Sequence, residues 1–339
     1  MTLFTDPVVN RQFRHGQWRM LATTILGYTL FYFLRKNLSL ALPGLQQDYG
    51  FDDGTLGIFL TLHAVVYGVG KFITGPLSDR SRPRTFLILG LALVLMANLV
   101  FGFAPVLAAL FAGGNVGSAF TVVFVAILGV SWVANGLFQA MGNPPCLKLI
   151  AHWIPPGELA TKLAIWNSSH SIGAGLVTVL CGYIMGLGTL GTKGLGVGMW
   201  RWCFFAPAII VAAGLVVLFL TVPGTPREES LPDLPGTDVK DAAQVSGAEA
   251  QTAGVSAMRR VYLNPTMWVL GLCCFMVYVT RFAILDWGPK LIKETKEVSI
   301  EGAAWATACF EIAGIFGTLV SGWATDRLAG GVRRASVCS

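Results

Sequence analysis

The chain of 339 residues is 54% hydrophobic and 12% charged, with a formal net charge of +6 and a mean hydropathy of +0.64. A soluble domain usually carries about twice that share of charged residues, so the composition excludes ordinary soluble proteins. The basic residues stand at the ends of apolar stretches, which is typical of membrane topology and argues against a nucleic-acid-binding surface.

Eight apolar stretches are long enough to cross a bilayer, which takes about 20 helical residues. The polar residues 1–19 hold three arginines, and the apolar stretch after them is too long for the core of a secretory signal peptide. We therefore predict an all-α integral membrane protein. The predicted spans are 20–42, 55–77, 84–104, 119–142, 159–187, 203–221, 265–289 and 302–324.

The charges of the short loops predict the orientation. Loop 43–54 has three aspartates and no lysine or arginine, whereas loop 78–84 has three arginines. Basic loops face the cytoplasm, so the N-terminus is expected on the cytoplasmic side, most simply of a bacterial inner membrane. Loop 290–301 mixes lysines with acids and argues weakly for the opposite orientation.

The chain divides into four regions by composition. Residues 1–19 are read as a cytoplasmic N-terminus and 20–222 as a six-helix half. Residues 223–262 are read as a partly disordered cytoplasmic linker, because half of them are Pro, Gly, Ala, Asp or Glu and 223–257 lack aromatics. Residues 263–339 hold only two spans of a second half, so we interpret the chain as C-terminally truncated.

A short pattern occurs once in each predicted half. Tyr32 stands three residues before Arg35, and Tyr278 stands three residues before Arg281; a proline follows each arginine by eight residues. Both arginines lie in apolar stretches. A repeated unit with a charge at membrane depth predicts a transporter built from two related halves, with its site between them.

A second element follows each copy of this pattern, and its sequence is Gly-x-x-[Ser/Thr]-Asp-Arg. The interval from arginine to aspartate is 44 residues in the first copy (35 to 79) and 45 in the second (281 to 326). The elements stand at predicted cytoplasmic ends of helices. Their carboxylates are interpreted as helix caps or as partners of basic residues in a cytoplasmic gate. The residues are Asp79, Arg80, Asp326 and Arg327.

Six of the charged residues within the predicted spans are interpreted as part of the site, and each costs a few kcal/mol or more at the bilayer centre unless it meets a cavity or a partner. Four are positive and two negative, which leaves a surplus of two positive charges. A phosphate monoester carries between one and two negative charges near neutral pH, so a phosphorylated substrate fits this surplus. The residues are Arg35, Lys36, Lys71, Arg281, Asp286 and Glu311.

The individual roles follow from position. Arg35 and Arg281 can each grip a phosphate through paired N–H donors. An isolated basic residue usually extends to the lipid headgroups instead, but two arginines at equivalent places in a repeat argue against this. Lys36 points about 100° away from Arg35 around the helix, so we expect it to pair with Asp286 or Glu311 between the halves.

Other polar residues within the spans could have either a structural or a substrate-binding role. His170 either hydrogen-bonds a neighbour or contacts phosphate. Tyr28, Tyr32 and Tyr278 lie on the arginine helices, where we favour a role in the pocket over simple packing. The sequence has no nucleotide-binding or hydrolytic motif and no cysteine pair with metal-ligand spacing. We therefore expect that the protein is not an enzyme and that it binds neither a cofactor nor a metal ion.

The chain resembles the organophosphate:phosphate antiporters of the major facilitator superfamily, which include glycerol-3-phosphate and hexose-phosphate transporters. The similarity runs from about residue 17 to 334. The segments that carry it are Tyr32-Phe33-Leu34-Arg35-Lys36-Asn37, Tyr67-Gly68-Val69-Gly70-Lys71-Phe72, Gly142-Asn143-Pro144-Pro145-Cys146, Trp166-Asn167 with His170, and Tyr278-x-x-Arg281 with Asp286-Trp287.

The resemblance implies a helical bundle with a complete six-helix N-terminal half and the first two helices of the other half. It also implies phosphate binding by Arg35 and Arg281 with Lys71 and His170, and charge pairs among Lys36, Asp286 and Glu311. The implied activity is exchange of an organic phosphate for inorganic phosphate by alternating access, in a protein that we expect to be a monomer. Two alternatives stay open: a hexose-phosphate sensor that signals to a histidine kinase, and an inactive fragment of a transporter.

Overall fold

The structure, a computed structural model, describes residues 4, 6–114, 117–187, 198–234, 263–296 and 298–328, without the side chains of 156 and 325–328. Its regular elements within these ranges are all helical. The first half contains α1 (Pro7–Phe33), α2 (Asn37–Tyr49), α3 (Asp53–Asp79), α4 (Pro83–Gly102), α5 (Ala104–Ala112), α6 (Ser118–Gln139), α7 (Asn143–Trp153), α8 (Leu159–Leu187) and α9 (Trp202–Thr221). The second contains α10 (Pro265–Phe282), α11 (Gly288–Lys296) and α12 (Ile300–Leu328), with a π-helical turn over Ala283–Trp287.

Local sequence signals set several helix ends. The side chains of Asp6, Asp52 and Asn264 accept hydrogen bonds from the first backbone amides of α1, α3 and α10, as good N-caps do. The helices α2 and α5 each end on a glycine with positive φ, Gly50 at 67° and Gly113 at 71°. Glycine tolerates this left-handed backbone, so both helices can stop at these positions.

Seven helical segments of the described chain are long and apolar enough to cross a membrane. They correspond to the predicted spans from the second to the eighth. The predicted first span, 20–42, is not one continuous helix: α1 begins much earlier, at Pro7, and ends at Phe33, and α2 begins at Asn37. The charged and amide side chains of α1 all precede Met20, and the helix packs against α8 and α9.

The start of the predicted linker also differs from expectation. Residues 223–234 have no regular helix, yet they pack on the first half, with Leu234 buried. Trp153 Nε1 donates to the carbonyl of Gly224 (3.0 Å), and Arg19 pairs with Glu229 (2.6 Å). Hydrogen bonds thus anchor a segment whose composition indicates disorder. The rest of that linker, 235–262, lies outside the described residues.

The two halves meet mainly where α8 packs along α12. Small residues make this close approach possible, since a side chain on Gly182 would collide with Ala304 and one on Gly322 with Ala164. The helix α8 also packs against α1, which brings the first helix of one half near the second half. This arrangement places the arginine segments of both halves around one central space.

Candidate substrate-binding site between the two halves

The first arginine lies in a break between two helices. Leu34, Arg35 and Lys36 separate α1 from α2, and the break leaves carbonyls without their usual helical donors. The Phe31 carbonyl accepts from the Leu34 amide at 3.2 Å and also from Gln139 Nε2 of α6 at 2.8 Å, which supports the backbone at the break. Irregular backbone at membrane depth is tolerated where it is buried in protein or lines a cavity, and both conditions hold here.

The second arginine lies beside a similar irregularity. Arg281 is in the last turn of α10, immediately before the π-helical turn that contains Asp286. Single π-helical turns of this kind are common at functional sites. Each copy of the repeat therefore places its arginine at a helix discontinuity, a feature that the sequence analysis did not predict.

A central cavity of about 290 Å³ lies between these two discontinuities. All seven residues predicted to bind substrate line it, and so does Lys36. Tyr67 and Asn143 also line it, although the sequence analysis placed them only within motifs. The full lining is Tyr28, Tyr32, Arg35, Lys36, Ala64, Tyr67, Gly68, Lys71, Asn143, Asn167, His170, Tyr278, Arg281, Phe282 and Leu285.

Arg35 is surrounded by aromatic rings rather than by acids. It is 6% exposed, and its guanidinium carbon lies 3.9 Å from the centre of the Tyr67 ring and 5.4 Å from that of Tyr32. Lys71 Nζ lies 4.5 Å from the same Tyr67 ring. Ring faces stabilise a cation without neutralising it. Among the ion pairs of the described residues, none involves Arg35 or Lys71.

Arg281 and Lys36, by contrast, are paired with carboxylates. Arg281 Nη2 donates to both carboxylate oxygens of Glu311, at 2.8 and 3.0 Å, and approaches Ser171 Oγ at 3.3 Å. Lys36 forms an ion pair with Asp286 that joins the first half to the second. Of the two acids considered for Lys36, Asp286 is its ion-pair partner, and Glu311 instead holds Arg281 within the second half.

The charge balance of the site follows from these pairs. Four cationic side chains line the cavity, and Asp286 and Glu311 neutralise two of them, Lys36 and Arg281. The surplus of two positive charges therefore belongs to Arg35 and Lys71, which are both on the first half. A cavity of this charge can hold an anion of one to two negative charges.

The remaining predicted residues form an aromatic wall. The ring of Tyr32 lies 5.5 Å from those of Tyr28 and His170, and Tyr28 lies 4.8 Å from Trp166. On the other side, Tyr278 stacks on Phe282 at 5.6 Å and is half exposed. These rings, with their hydroxyl and imidazole groups, can contact the organic part of a solute held by the cations.

The predicted gate residues lie away from the cavity. Asp79 and Arg80 are exposed at the end of α3, and neither forms an ion pair within the described structure. Lys148 instead caps this helix end, donating to the carbonyls of Asp79 (2.7 Å) and Ser78 (3.2 Å). The side chains of Asp326 and Arg327 lie outside the described structure.

An ion pair that the sequence analysis missed joins the halves at the opposite end. Lys290 of α11 pairs with Asp53 at the start of α3. Near the same contact, a side chain on Gly57 would meet Trp287 at 3.6 Å. The described residues contain no group of three or more His, Cys, Asp or Glu side chains that could hold a metal ion.

Comparisons with known proteins agree with this architecture. Residues 24–339 match the Major Facilitator Superfamily. Solved structures with a similar fold include a bacterial homologue of the human lysosomal transporter Spinster, with a TM-score of 0.68 at 18% identity over 93% of this chain and 64% of that one. The D-xylose–proton symporter gives a TM-score of 0.63 at 15% identity over 91% of this chain and 69% of that one.

Curated relatives are similar over nearly the whole of this chain. A probable hexose phosphate transport protein of Chlamydia trachomatis is 32% identical over 97% of this chain and 69% of its own length. The glycerol-3-phosphate transporter of Bacillus subtilis is 32% identical over 95% and 68%. The membrane sensor protein UhpC of Salmonella typhimurium is 32% identical over 98% and 69%.

The relatives are named as transporters and as a membrane sensor protein, and the fold is that of transporters rather than of enzymes. Together with the seven apolar helical segments, they mean that the protein is an integral, multi-pass membrane protein. The chain belongs to the Major Facilitator Superfamily, among relatives named as hexose phosphate and glycerol-3-phosphate transporters.

Proposed function

We propose that the protein exchanges an organic phosphate, glycerol-3-phosphate or a sugar phosphate, for inorganic phosphate by alternating access. The observation that carries this proposal is the pair of cations in the central cavity, Arg35 and Lys71, that have no carboxylate partner among the residues that the structure describes. The names of the relatives agree with a substrate of this class.

The charge of the cavity favours a particular class of ligand. Arg35 is buried, and a buried cation without a counter-ion is costly, so a bound anion removes most of that cost. Arg35 can present paired N–H donors that match two phosphate oxygens, whereas Lys71 acts as a point charge. A neutral solute such as a free sugar or glycerol would leave both charges uncompensated. The site therefore favours a phosphate over its dephosphorylated counterpart.

Arg281 contributes in a different way. Its hydrogen bonds to Glu311 and Ser171 use the Nη2 atom alone. The Nη1 and Nε donors of the same guanidinium remain on a residue that lines the cavity. Phosphate bound to Arg35 and Lys71 can accept from these donors and so link the two halves. His170 and the tyrosines Tyr28, Tyr32 and Tyr278 then contact the ester oxygen and the organic group.

Alternating access requires contacts between the halves that can break. The Lys36–Asp286 and Lys290–Asp53 pairs join the first half to the second. A phosphate in the cavity attracts Lys36 and repels Asp286, so substrate binding weakens the first of these pairs. Binding energy is thereby coupled to the motion of the halves, in the sense that the ligand stabilises one arrangement over another.

The loop charges support a topology with the N-terminus in the cytoplasm of a bacterium and the protein in the inner membrane. The residues that line the central cavity all come from one copy of the chain, which supports a monomer as the unit of the proposed exchange.

The proposal is tested by counterflow of radiolabelled phosphate in proteoliposomes. Liposomes loaded with glycerol-3-phosphate or hexose 6-phosphate should accumulate label, and those loaded with glycerol or hexose should not. The Arg35→Ala variant should lose accumulation. The Arg84→Ala variant removes an arginine that contacts Phe219 outside the cavity and should keep it. Exchange that persists unchanged in Arg35→Ala would contradict the proposal.

The same experiment separates transport from sensing. The similarity to a membrane sensor protein makes sensing the second candidate function. A sensor would bind phosphorylated solutes saturably and depend on Arg35, but would accumulate no label above that of protein-free liposomes. A dependence of a partner histidine kinase on the bound solute would then support signalling.

A further inference from the structure

Two buried polar side chains lie behind the central cavity and have no role in the transport scheme above. His63 of α3 is 6% exposed and Asn135 of α6 is 0% exposed. Their side chains meet at 3.2 Å, between His63 Nε2 and Asn135 Oδ1. Neither residue lines the cavity. Burying two polar groups in a membrane-spanning bundle is costly unless their hydrogen bonds serve a structural or functional need.

The hydrogen bonds run in one direction and end at the helix break. Asn135 Nδ2 donates to the carbonyl oxygen of Leu34 at 3.1 Å. That use of the amide nitrogen leaves Oδ1 as an acceptor, so His63 must donate from Nε2. The Leu34 carbonyl belongs to the peptide group that joins Leu34 to Arg35. The pair therefore holds the peptide plane from which Arg35 projects.

The surroundings fix both side chains in place. The His63 ring stacks on Trp132 at a centroid distance of 4.8 Å. A side chain on Gly136 would meet the His63 carbonyl oxygen at 2.8 Å, so α3 and α6 are in close backbone contact at this point. Trp132, Asn135, Gly136 and Gln139 are spaced to lie on one face of α6. This face supports the break through Asn135 at Leu34 and through Gln139 at Phe31.

We propose that His63 and Asn135 are positioning residues, which fix the break between α1 and α2 and thereby the direction of Arg35. The consequence for transport rests on the proposed function, in which Arg35 binds phosphate. A small displacement of a substrate-binding group is expensive, because a misplacement of about 1 Å can cost a factor of roughly 100. The positioning itself does not depend on the substrate.

Four variants test the proposal. His63→Leu removes the donor but keeps the site apolar and filled. His63→Gln keeps an N–H donor at a similar reach. Asn135→Asp keeps the shape of the side chain but turns an oxygen toward the Leu34 carbonyl. Thr74→Val is the matched control, because Thr74 Oγ1 donates to the Ala140 carbonyl at 2.9 Å across the same α3–α6 contact, away from the break.

The first measurement needs no substrate. Amide hydrogen exchange of peptides covering residues 31–37 should speed up in His63→Leu and Asn135→Asp by roughly tenfold, in the range of local opening rather than global unfolding. It should stay near wild type in His63→Gln and Thr74→Val. Unchanged exchange in both His63→Leu and Asn135→Asp, or an equal increase in Thr74→Val, would overturn the proposal. Variants that fail to fold are replaced in this comparison by His63→Gln and His63→Asn, a longer and a shorter amide donor, of which only the longer should preserve slow exchange.

The second measurement connects positioning to transport. The half-saturation concentration for phosphate exchange should rise roughly tenfold in His63→Leu, with a maximal rate within about twofold of wild type, as expected for a misdirected binding group. His63→Gln should restore most of the affinity. A fall in maximal rate with unchanged half-saturation would refute the link to Arg35. If the wild type exchanges no phosphate while the hydrogen-exchange result holds, the proposed function fails and the positioning role stands.

Discussion

Arg35 and Arg281 occupy equivalent places in the two copies of the Tyr-x-x-Arg repeat, yet their surroundings differ in charge. Arg35 is packed between the rings of Tyr67 and Tyr32 and has no carboxylate partner among the described residues. Arg281 is held by both oxygens of Glu311, which is 2% exposed. The repeat sets where each arginine lies, and the neighbouring helices decide whether its charge is available to a ligand.

This difference implies a division of work between the two halves. The first half carries the unneutralised charge, on Arg35 and Lys71, that an anion can satisfy. The second half carries acids that hold Arg281 and Lys36 in defined places. The first half therefore attracts the anion, and the second half holds the paired cations in position. Substitutions that treat the two arginines alike should consequently give unlike results.

The largest effect on stability is expected for Arg281→Ala. Glu311 would be left buried without a cation, which should lower the free energy of unfolding by about 3 kcal/mol. Arg35→Ala should leave stability near wild type, because it removes a charge that had no counter-ion. Thermal and denaturant unfolding of the detergent-solubilised proteins measures both values. The double variant Arg281→Ala/Glu311→Gln is the control and should recover most of the loss. Equal destabilisation by Arg35→Ala and Arg281→Ala would contradict the difference in charge pairing between the two arginines.

Lys71 should contribute affinity rather than stability. Lys71→Gln is expected to weaken phosphate binding roughly tenfold, about 1.4 kcal/mol, because one of two unneutralised charges is removed. Equilibrium binding of phosphate at fixed ionic strength measures this, and Lys71→Arg should restore most of it. Lys293→Gln, on an exposed part of α11, serves as the control for a general change in net charge. If Lys71→Gln bound phosphate with wild-type affinity, Lys71 would not be one of the cations that attract the anion.

Substitution of Ser171 should lower stability slightly, through Arg281 alone. Ser171→Ala removes a 3.3 Å contact with Arg281 Nη2, and the loss should be about 1 kcal/mol or less of unfolding free energy. Phosphate affinity should stay within about twofold, since Glu311 still holds the guanidinium. Unfolding and binding are measured on the same preparation. A large loss of phosphate affinity would mean that Ser171 organises the anion site directly.

The smallest effect on exchange is expected from the Lys290–Asp53 pair, which joins the halves away from the cavity. Asp53→Asn removes the ion pair between the largely exposed Asp53 and the buried Lys290. Lys290 keeps Glu294 as a second partner at 3.7 Å, so we expect the loss to be small. The exchange rate should change by about twofold, since a contact between the halves is weakened while the cavity is untouched. The effect should shrink at high salt. A complete loss of exchange in Asp53→Asn would show that this pair is essential rather than a minor contact.

Long apolar segments could be predicted well because charged and polar loop residues mark where they end. The span predicted at 159–187 has the same bounds as α8, and the repeat led directly to both arginines of the cavity. The surplus of two charges was also predictable by counting. Its assignment to Arg35 and Lys71 was not, because Glu311 lies 30 residues from Arg281 and either arginine or Lys36 could have been its partner.

The helix break at Arg35 could not be predicted from local sequence. Residues Leu34 to Lys36 contain neither glycine nor proline, and hydrogen bonds from Gln139 and Asn135, more than 100 residues away, support the open backbone. The packing of residues 223–234 could not be predicted for the same reason. Distant residues hold this segment: Arg19 pairs with Glu229, and Trp153 donates to the Gly224 carbonyl. Tyr67, however, could have been found, because it stands four residues before Lys71 and so shares its helix face.

The most direct test of the account is the equilibrium affinity for inorganic phosphate of Arg35→Ala and Arg281→Ala, measured side by side by titration calorimetry at one ionic strength. The account predicts a loss of roughly 100-fold for Arg35→Ala, about 2.7 kcal/mol, and a loss of tenfold or less for Arg281→Ala. Equal losses, or a greater loss for Arg281→Ala, would contradict the claim that the available charge of the cavity lies on the first half.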